Sequence, residues 1–231
     1  MKKDRQSLTY QFESDWGHPT IDARCFAGTT DGKAWDSLGS MLLLLFGRNA
    51  SSSSISESWL SLIPIELAEK YFQSKNSTTY YERCTPSSTL ERTLSRLILQ
   101  LLENNPGLIR KGHDLREIDQ HISRNGEPAE KVAALRTALL RVINLHDNRV
   151  YIILNRPDQC DARGEESLNE WITTMLSLVK ETTAELKIMI VLRSELWDFE
   201  QNKKGVDVRG LDPNLFRPVR LDQDDAIHIT A

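Results

Sequence analysis

Cysteine is scarce and dispersed: Cys25, Cys84 and Cys160 are the only three, and no two form a CxxC pair. An odd, widely spaced set fits free thiols in a reducing compartment better than a disulfide framework, so a cytoplasmic location is expected. The five histidines (His18, His113, His121, His146, His228) lack zinc-ligand spacing, which argues against a structural metal. Long apolar runs are missing too. The best, Met41–Phe46, falls far short of the roughly 20 residues that span a bilayer, so no membrane span is expected. No apolar stretch follows the charged Met1–Ser7, and no secretory signal is read there. Positive charge is not in excess either. The net charge is -4 and the pI about 5.8, which argues against nucleic acid or an acidic membrane surface as a partner.

What is present suffices for a core. The chain has 231 residues, 39% hydrophobic and 27% charged, enough for one α/β domain and a short extra segment. Its most telling stretch is Arg149–Asp161. The apolar run Val150–Leu154 has no polar break, so both faces must be covered, as in a central parallel strand. Pro157 lacks an N–H and should end the ladder. Asn155, Asp158 and Gln159 then stand at the carboxyl end of the strand, where open α/β sheets place ligands. The competing reading is a buried strand followed by an ordinary polar turn.

Residues 1–40 read as a leader with one or two short elements packed on the main domain, residues 41–231. Within the leader, Gly28–Lys33 superficially resembles a phosphate loop. It is one residue short of G-x-x-x-x-G-K-[ST], with Ala34 in place of the hydroxyl residue, and is read as a turn. Met41–Phe46 is the first strand, followed by Gly47 and the Ser-rich loop to Ser54. A helix with Leu60, Ile63, Leu67 and Tyr71 on one face comes next, kinked or divided at Pro64. Thr78–Arg83 is a second strand. A helix with Leu90, Leu94, Leu97, Ile98 and Leu101 on one face follows, then another short helix within 107–127 and one over about 128–145. Ser54–Glu57, Ser88–Glu91 and Ser167–Glu170 have capping-box spacing at helix starts. After the Val150–Leu154 strand come the helix carrying Trp171 and Met175 and the strand Leu186–Leu192, ending in Arg193. A charged loop over 198–217 leads to short extended stretches at Pro218–Leu221 and Ala226–Thr230. The alternation implies an α/β fold, a mainly parallel β-sheet flanked by helices. Trp59, Trp171 and Trp197 are read as packing residues.

This order of pieces resembles the NACHT-type P-loop NTPases of the STAND class, especially the nephrocystin-like domains of large fungal proteins, over about residues 41–225. The resemblance implies a P-loop NTPase-like fold that binds ATP or GTP with Mg2+. Laid on the family's phosphate loop, Gly47 and Ser54 fit, while Ser52 stands for Gly and Ser53 for Lys. In the family's acidic strand end, Asn155 stands for the metal-holding Asp. Gln159 stands for the Glu that polarises water, and Asp158 keeps its carboxylate. The metal residues are then Asn155 and Asp158, the catalytic ones Asp158 and Gln159. Gly47, Ser52, Ser53, Ser54 and the sensor-like Arg193 would contact the nucleotide.

The Lys, the first Asp and the Glu are all replaced by uncharged residues. If each resembles an oxyanion-type contact of roughly 3 kcal/mol, hydrolysis should be largely lost. The expectation is therefore a degenerate module acting as a signalling scaffold or switch, with little or no hydrolysis and weak nucleotide binding if any. One alternative is a working ATP or GTP switch, with Gln159 orienting water and Lys33 or Arg48 supplying the cation. Another is an unrelated α/β enzyme using Asp158 as acid or base. Family members carry further domains and oligomerise, and a helical lid is expected after the sheet. The chain stops at Ala231 without it. A fragment or standalone remnant is expected, marginally stable or self-associating, with protein partners.

Overall fold

The computed structural model describes residues 21–37, 39–49, 58–103, 128–160, 165–194, 199 and 211–223. Two short helices open it, α1 (Ala23–Gly28) and α2 (Thr30–Asp36). Strand β1 (Met41–Gly47) follows, then a 3-10 turn (Trp59–Ser61), α3 (Leu62–Phe72) and β2 (Ser77–Arg83). Next come α4 (Leu90–Glu103), α5 (Pro128–Asn144) and β3 (Arg149–Asn155). A second 3-10 turn (Pro157–Gln159), α6 (Glu165–Glu181), β4 (Leu186–Arg193) and β5 (Phe216–Arg220) complete the described elements.

The five strands form one sheet in the order β2-β3-β4-β1-β5, and every pairing is parallel. This is the α/β architecture expected from the alternation, a parallel sheet flanked by helices. The order dictates the layers. The connection from β1 to β2 passes over β4 and β3 in one direction, and the connections β2 to β3 and β3 to β4 return. Right-handed crossovers in opposite directions put their helices on opposite faces. The two cores follow suit. Leu43, Leu45, Ile153, Met189 and Val191 pack under α3 with Ile63 and Leu67, joined by Phe26 and Trp35 of α1 and α2. Leu42, Leu44, Ile152, Leu154, Ile188 and Ile190 pack under α4, α5 and α6. The unbroken apolar run in β3 thus has both faces buried, as its composition requires.

Several local expectations shift. Pro64 sits in the first turn of α3, where its missing N–H removes no helical bond, and the 3-10 turn before it makes the expected division. Thr89, not Ser88, caps α4: its Oγ1 accepts from Arg92 N–H, while Ser88 Oγ accepts from Thr85 N–H. Ser167 and Glu170 lie inside α6, which begins at Glu165. Gly28–Lys33 spans the α1–α2 junction. Thr29 caps α2 there by accepting from Gly32 N–H. A Cβ on Gly32 would lie 2.0 Å from the Phe26 carbonyl oxygen, so helix-to-helix contact explains that glycine. The expected Ser54–Glu57 cap, the helix within 107–127, Trp197 and the stretch Ala226–Thr230 lie outside the described residues.

Candidate functional site

The sheet order also fixes where a ligand would enter. From β1 the chain passes to the face covered by α3. From β4 it passes toward β5 by way of Phe199, whose ring lies 5.9 Å from Phe46 and 5.7 Å from Phe216 in the opposite core. Neighbouring strands whose carboxyl ends lead to opposite faces define a switch point, where open α/β sheets bind ligands. Here that point is the end of β1 and β4, where Gly47 lies opposite Arg193. Asn155 stands close by, paired with Val191. The fold therefore brings Gly47, Asn155 and Arg193 to one edge. Ser52, Ser53 and Ser54 lie outside the described residues.

The edge is filled by the chain's own contacts. A Cβ on Gly47 would lie 1.7 Å from the Leu221 carbonyl oxygen, so glycine is needed there for backbone approach. Residues 221–223, just past β5, form a strap over this end. Leu221 N–H donates to Phe46 O at 2.9 Å, and Gln223 N–H to Arg48 O at 2.9 Å. Arg48 N–H donates to Asp222 Oδ1 at 2.8 Å. The indole N–H of Trp59 reaches Leu221 O at 3.1 Å. On the β4 side, Ser194 N–H donates to Gly47 O at 3.0 Å.

Asn155 is fully buried and its amide is engaged at both ends. Oδ1 accepts from Ser61 Oγ at 3.1 Å, and Nδ2 donates to Tyr81 OH at 3.4 Å. Arg156 has φ 65° and ψ 46°, and among the described residues it alone combines a side chain with positive φ. A left-handed arginine is uncommon and needs surrounding contacts to hold it. Those contacts are visible. Its N–H donates to Val191 O at 2.9 Å, and its guanidinium forks onto Asp158: Nε to Oδ2 at 2.9 Å and Nη2 to Oδ2 at 2.9 Å, with Nε to Oδ1 at 3.1 Å. Both side chains are 1% exposed. Burial pushes the Asp158 carboxyl up from its ordinary value, and Arg156 with the N–H groups of Asp158 and Arg193 pull against that rise. The one carboxylate of the acidic motif is therefore enclosed and neutralised.

Gln159 faces elsewhere. It lines an open cleft of about 620 Å³ at the carboxyl end of β2, with Phe72, Tyr81, Arg83, Thr85 and Gln100. Glu82 at this edge is also taken: Tyr80 OH donates to it, and Arg96 Nη1 lies 2.9 Å from Oε1. Lys33 is exposed on α2. The neighbouring Trp35 lies against Tyr151 and Lys187, which pair with each other near the beginnings of their strands, at the end of the sheet away from Gly47. No group of three or more metal-ligating side chains occurs among the described residues.

No protein-family model matches the chain, and no curated protein matches it. Solved structures do resemble it in overall form. The Aeropyrum pernix ORC2 protein in its ADP form is 13% identical with a TM-score of 0.43, over 87% of this chain and 46% of that one. The Aeropyrum pernix ORC1 protein in complex with DNA is 12% identical with a TM-score of 0.46, over 90% and 47%. A chain of Drosophila ORC bound to GC-rich DNA and Cdc6 is 10% identical with a TM-score of 0.47, over 90% and 29%. The chain thus spans about half or less of the length of these structures.

Sequence reasoning missed three parts of this edge: the Arg156–Asp158 fork, the strap at 221–223, and the Ser61–Asn155–Tyr81 chain. The first had a visible signal, opposite charges on either side of Pro157. The others join residues distant in sequence and had none.

Proposed function

We propose that the chain is a degenerate NACHT- or STAND-like module of the P-loop NTPase type, a signalling scaffold or switch that hydrolyses little or no nucleotide. One observation carries this reading. Asp158, the only acid left in the motif, has both oxygens held by Arg156 in a buried fork. A carboxylate that coordinates Mg2+ needs oxygens facing the metal. Releasing Asp158 would break a buried, bidentate ion pair, at a cost of several kcal/mol. Asn155 adds no charge, and its carbonyl oxygen already accepts from Ser61. The same enclosure speaks against an unrelated enzyme using Asp158 as acid or base, since a general base must reach its proton.

Any ATP or GTP with Mg2+ would bind only weakly on the Gly47 and Arg193 side, because the Arg48 and Ser194 N–H groups there already donate to Asp222 and Gly47. Its role would be structural. The working partners would be proteins or further copies of the chain. The test is phosphate release from ATP and GTP under single-turnover conditions, with light scattering on the same sample. The expected result is release no faster than without protein, from a self-associating chain. Turnover that Asn155→Ala abolishes would overturn the reading in favour of a slow NTP switch, with Gln159 orienting water.

A further inference from the structure

Lys187 lies fully buried beneath the two amino-terminal helices. Its Nζ is 5.9 Å from the ring centroid of Trp35 on α2 and has no hydrogen-bond partner among the described residues. The charged and titratable groups around it come from every element packed there. Asp36 follows Trp35 on α2, and α3 brings Tyr71 and Lys70. Tyr151 of β3 is in register with Lys187, and Arg149 and Glu185 stand two residues earlier on the same face. On the β1 side the residue in register is Met41, which carries no charge. The other charges are paired with each other: Arg149 Nη2 lies 2.6 Å from Glu185 Oε1, and Lys70 Nζ lies 3.8 Å from Asp36 Oδ2. An aromatic face is a weak substitute for the water that the Lys187 amine has lost.

The helices above it are short, six residues in α1 and seven in α2, so they depend on docking to stay folded. Ile21, Phe26 and Trp35 are their buried anchors. The polar pins are few. Ala23 N–H donates to Glu66 Oε2 at 3.0 Å, and the Trp35 indole N–H donates to Tyr71 OH at 2.9 Å. Tyr71 OH donates to Asp36 Oδ1 at 3.1 Å, and Arg217 of β5 pairs with Asp31 at 3.1 Å.

We infer that α1 and α2 form a releasable cover over the amino end of the sheet, driven open by protonation of the buried Lys187 amine and held shut when that amine is neutral. Opening uncovers the stacked Tyr71 and Tyr151 rings as well as Lys187. The direction follows from linkage. Under the cover, burial and then Arg149 lower Lys187 from 10.5 to about 8, and opening returns it toward its ordinary value. Between those values the open form holds a proton that the closed form does not. Falling pH therefore favours opening across that window, and the effect levels off below it. The cover needs no nucleotide, so it stands or falls apart from the proposed function.

The test uses the full chain carrying Cys25→Ser, so that the exposed thiol on α1 does not titrate in the same range. Trypsin cleavage after the exposed Arg24 and Lys33 is followed at about pH 7 and about pH 9.5. Each rate is divided by that of an unstructured peptide carrying the same sites, so the ratio reads the population of the open form. The expected result is a fall of about tenfold or more from the lower pH to the higher. Lys187→Met should be cut slowly at both. Asp31→Asn, which breaks the pin to Arg217 and leaves Lys187 untouched, should be cut a few-fold faster than the parent at both, with the pH dependence intact. The inference is overturned if the parent's ratio is flat in pH, or if Lys187→Met keeps the parent's dependence. It is also overturned if α1 and α2 are cut no sooner than Arg136 and Arg141 in α5, because the opening would then be global.

Discussion

The two ends of this sheet treat buried polar groups in opposite ways. At the carboxyl end, where a ligand would be expected, the polar side chains of Asn155, Arg156 and Asp158 are engaged by neighbours within the chain. At the amino end, Lys187 is fully buried with no hydrogen-bond partner on Nζ among the described residues, in register with Tyr151 and 5.9 Å from the Trp35 ring centroid. Tyr151 stacks on Tyr71 at 3.8 Å, and Tyr71 OH accepts from Trp35 and donates to Asp36. Thr79 is also in register with Tyr151, and its buried Oγ1 has no partner among the described residues either. A fully satisfied network rigidifies, while an unpaired buried group costs free energy. The contrast teaches that the edge where a ligand would sit has been closed by the protein's own contacts around Asn155, Arg156 and Asp158, with Ser194 Oγ left over there, while Lys187 and Thr79 go unsatisfied at the other end among the described residues.

The largest effects should come from breaking the closed end. Asp158→Ala breaks the buried fork with Arg156, and chemical denaturation should show a loss of about 3–5 kcal/mol. The double variant Arg156→Met with Asp158→Leu should recover most of that loss. A double variant as unstable as the single one would show that the charges themselves are required. Next in size, Gly47→Ala sets a methyl against the Leu221 carbonyl and should cost about 3 kcal/mol or more. A neutral result would mean that the strap is not held against β1.

At the open end the sign reverses. Burial, with Arg149 nearby, lowers Lys187 from 10.5 to about 8. Between those values the unfolded chain holds a proton that the folded chain does not, so stability rises with pH across that window. Lys187→Met removes this dependence. It should be more stable than the parent by about 2–3 kcal/mol below pH 8, and the advantage should vanish above pH 10.5. Denaturant midpoints at a series of pH values check both size and direction. The smallest effect is expected from Lys70→Ala. It breaks a half-exposed 3.8 Å pair with Asp36 at the same end and should change stability by less than about 0.5 kcal/mol.

The elements that sequence made legible are those with strong periodicity. The β3 run, the apolar face of α4 and the strand Leu186–Leu192 are all visible, and with them the parallel α/β architecture. Capping was less legible. At α4 the pair Ser88–Glu91 has the right spacing, yet Thr89 does the work, because adjacent hydroxyl residues compete for the same role. At the candidate site the residue types were legible but their occupancy was not. Asp158 could be singled out as the remaining carboxylate, while its engagement by Arg156 depends on the left-handed turn before Pro157. Gly47 could be read as a loop glycine. Its contact with Leu221 comes from the far end of the chain and leaves no local trace. Lys187 read as one polar residue in an apolar strand, with nothing to mark it as buried without a partner.

The most direct test of the central claim, that the carboxyl edge is occupied by the chain itself, is thermal melting with and without millimolar Mg-ATP and Mg-GTP. A ligand that binds the native state at one hundred times its dissociation constant adds about 2.7 kcal/mol, which for a chain of this size is a shift of several degrees. The account predicts no shift with either nucleotide. A rise of several degrees that disappears when magnesium is chelated would contradict it, because Asp158 or its neighbours would then have to open to the metal.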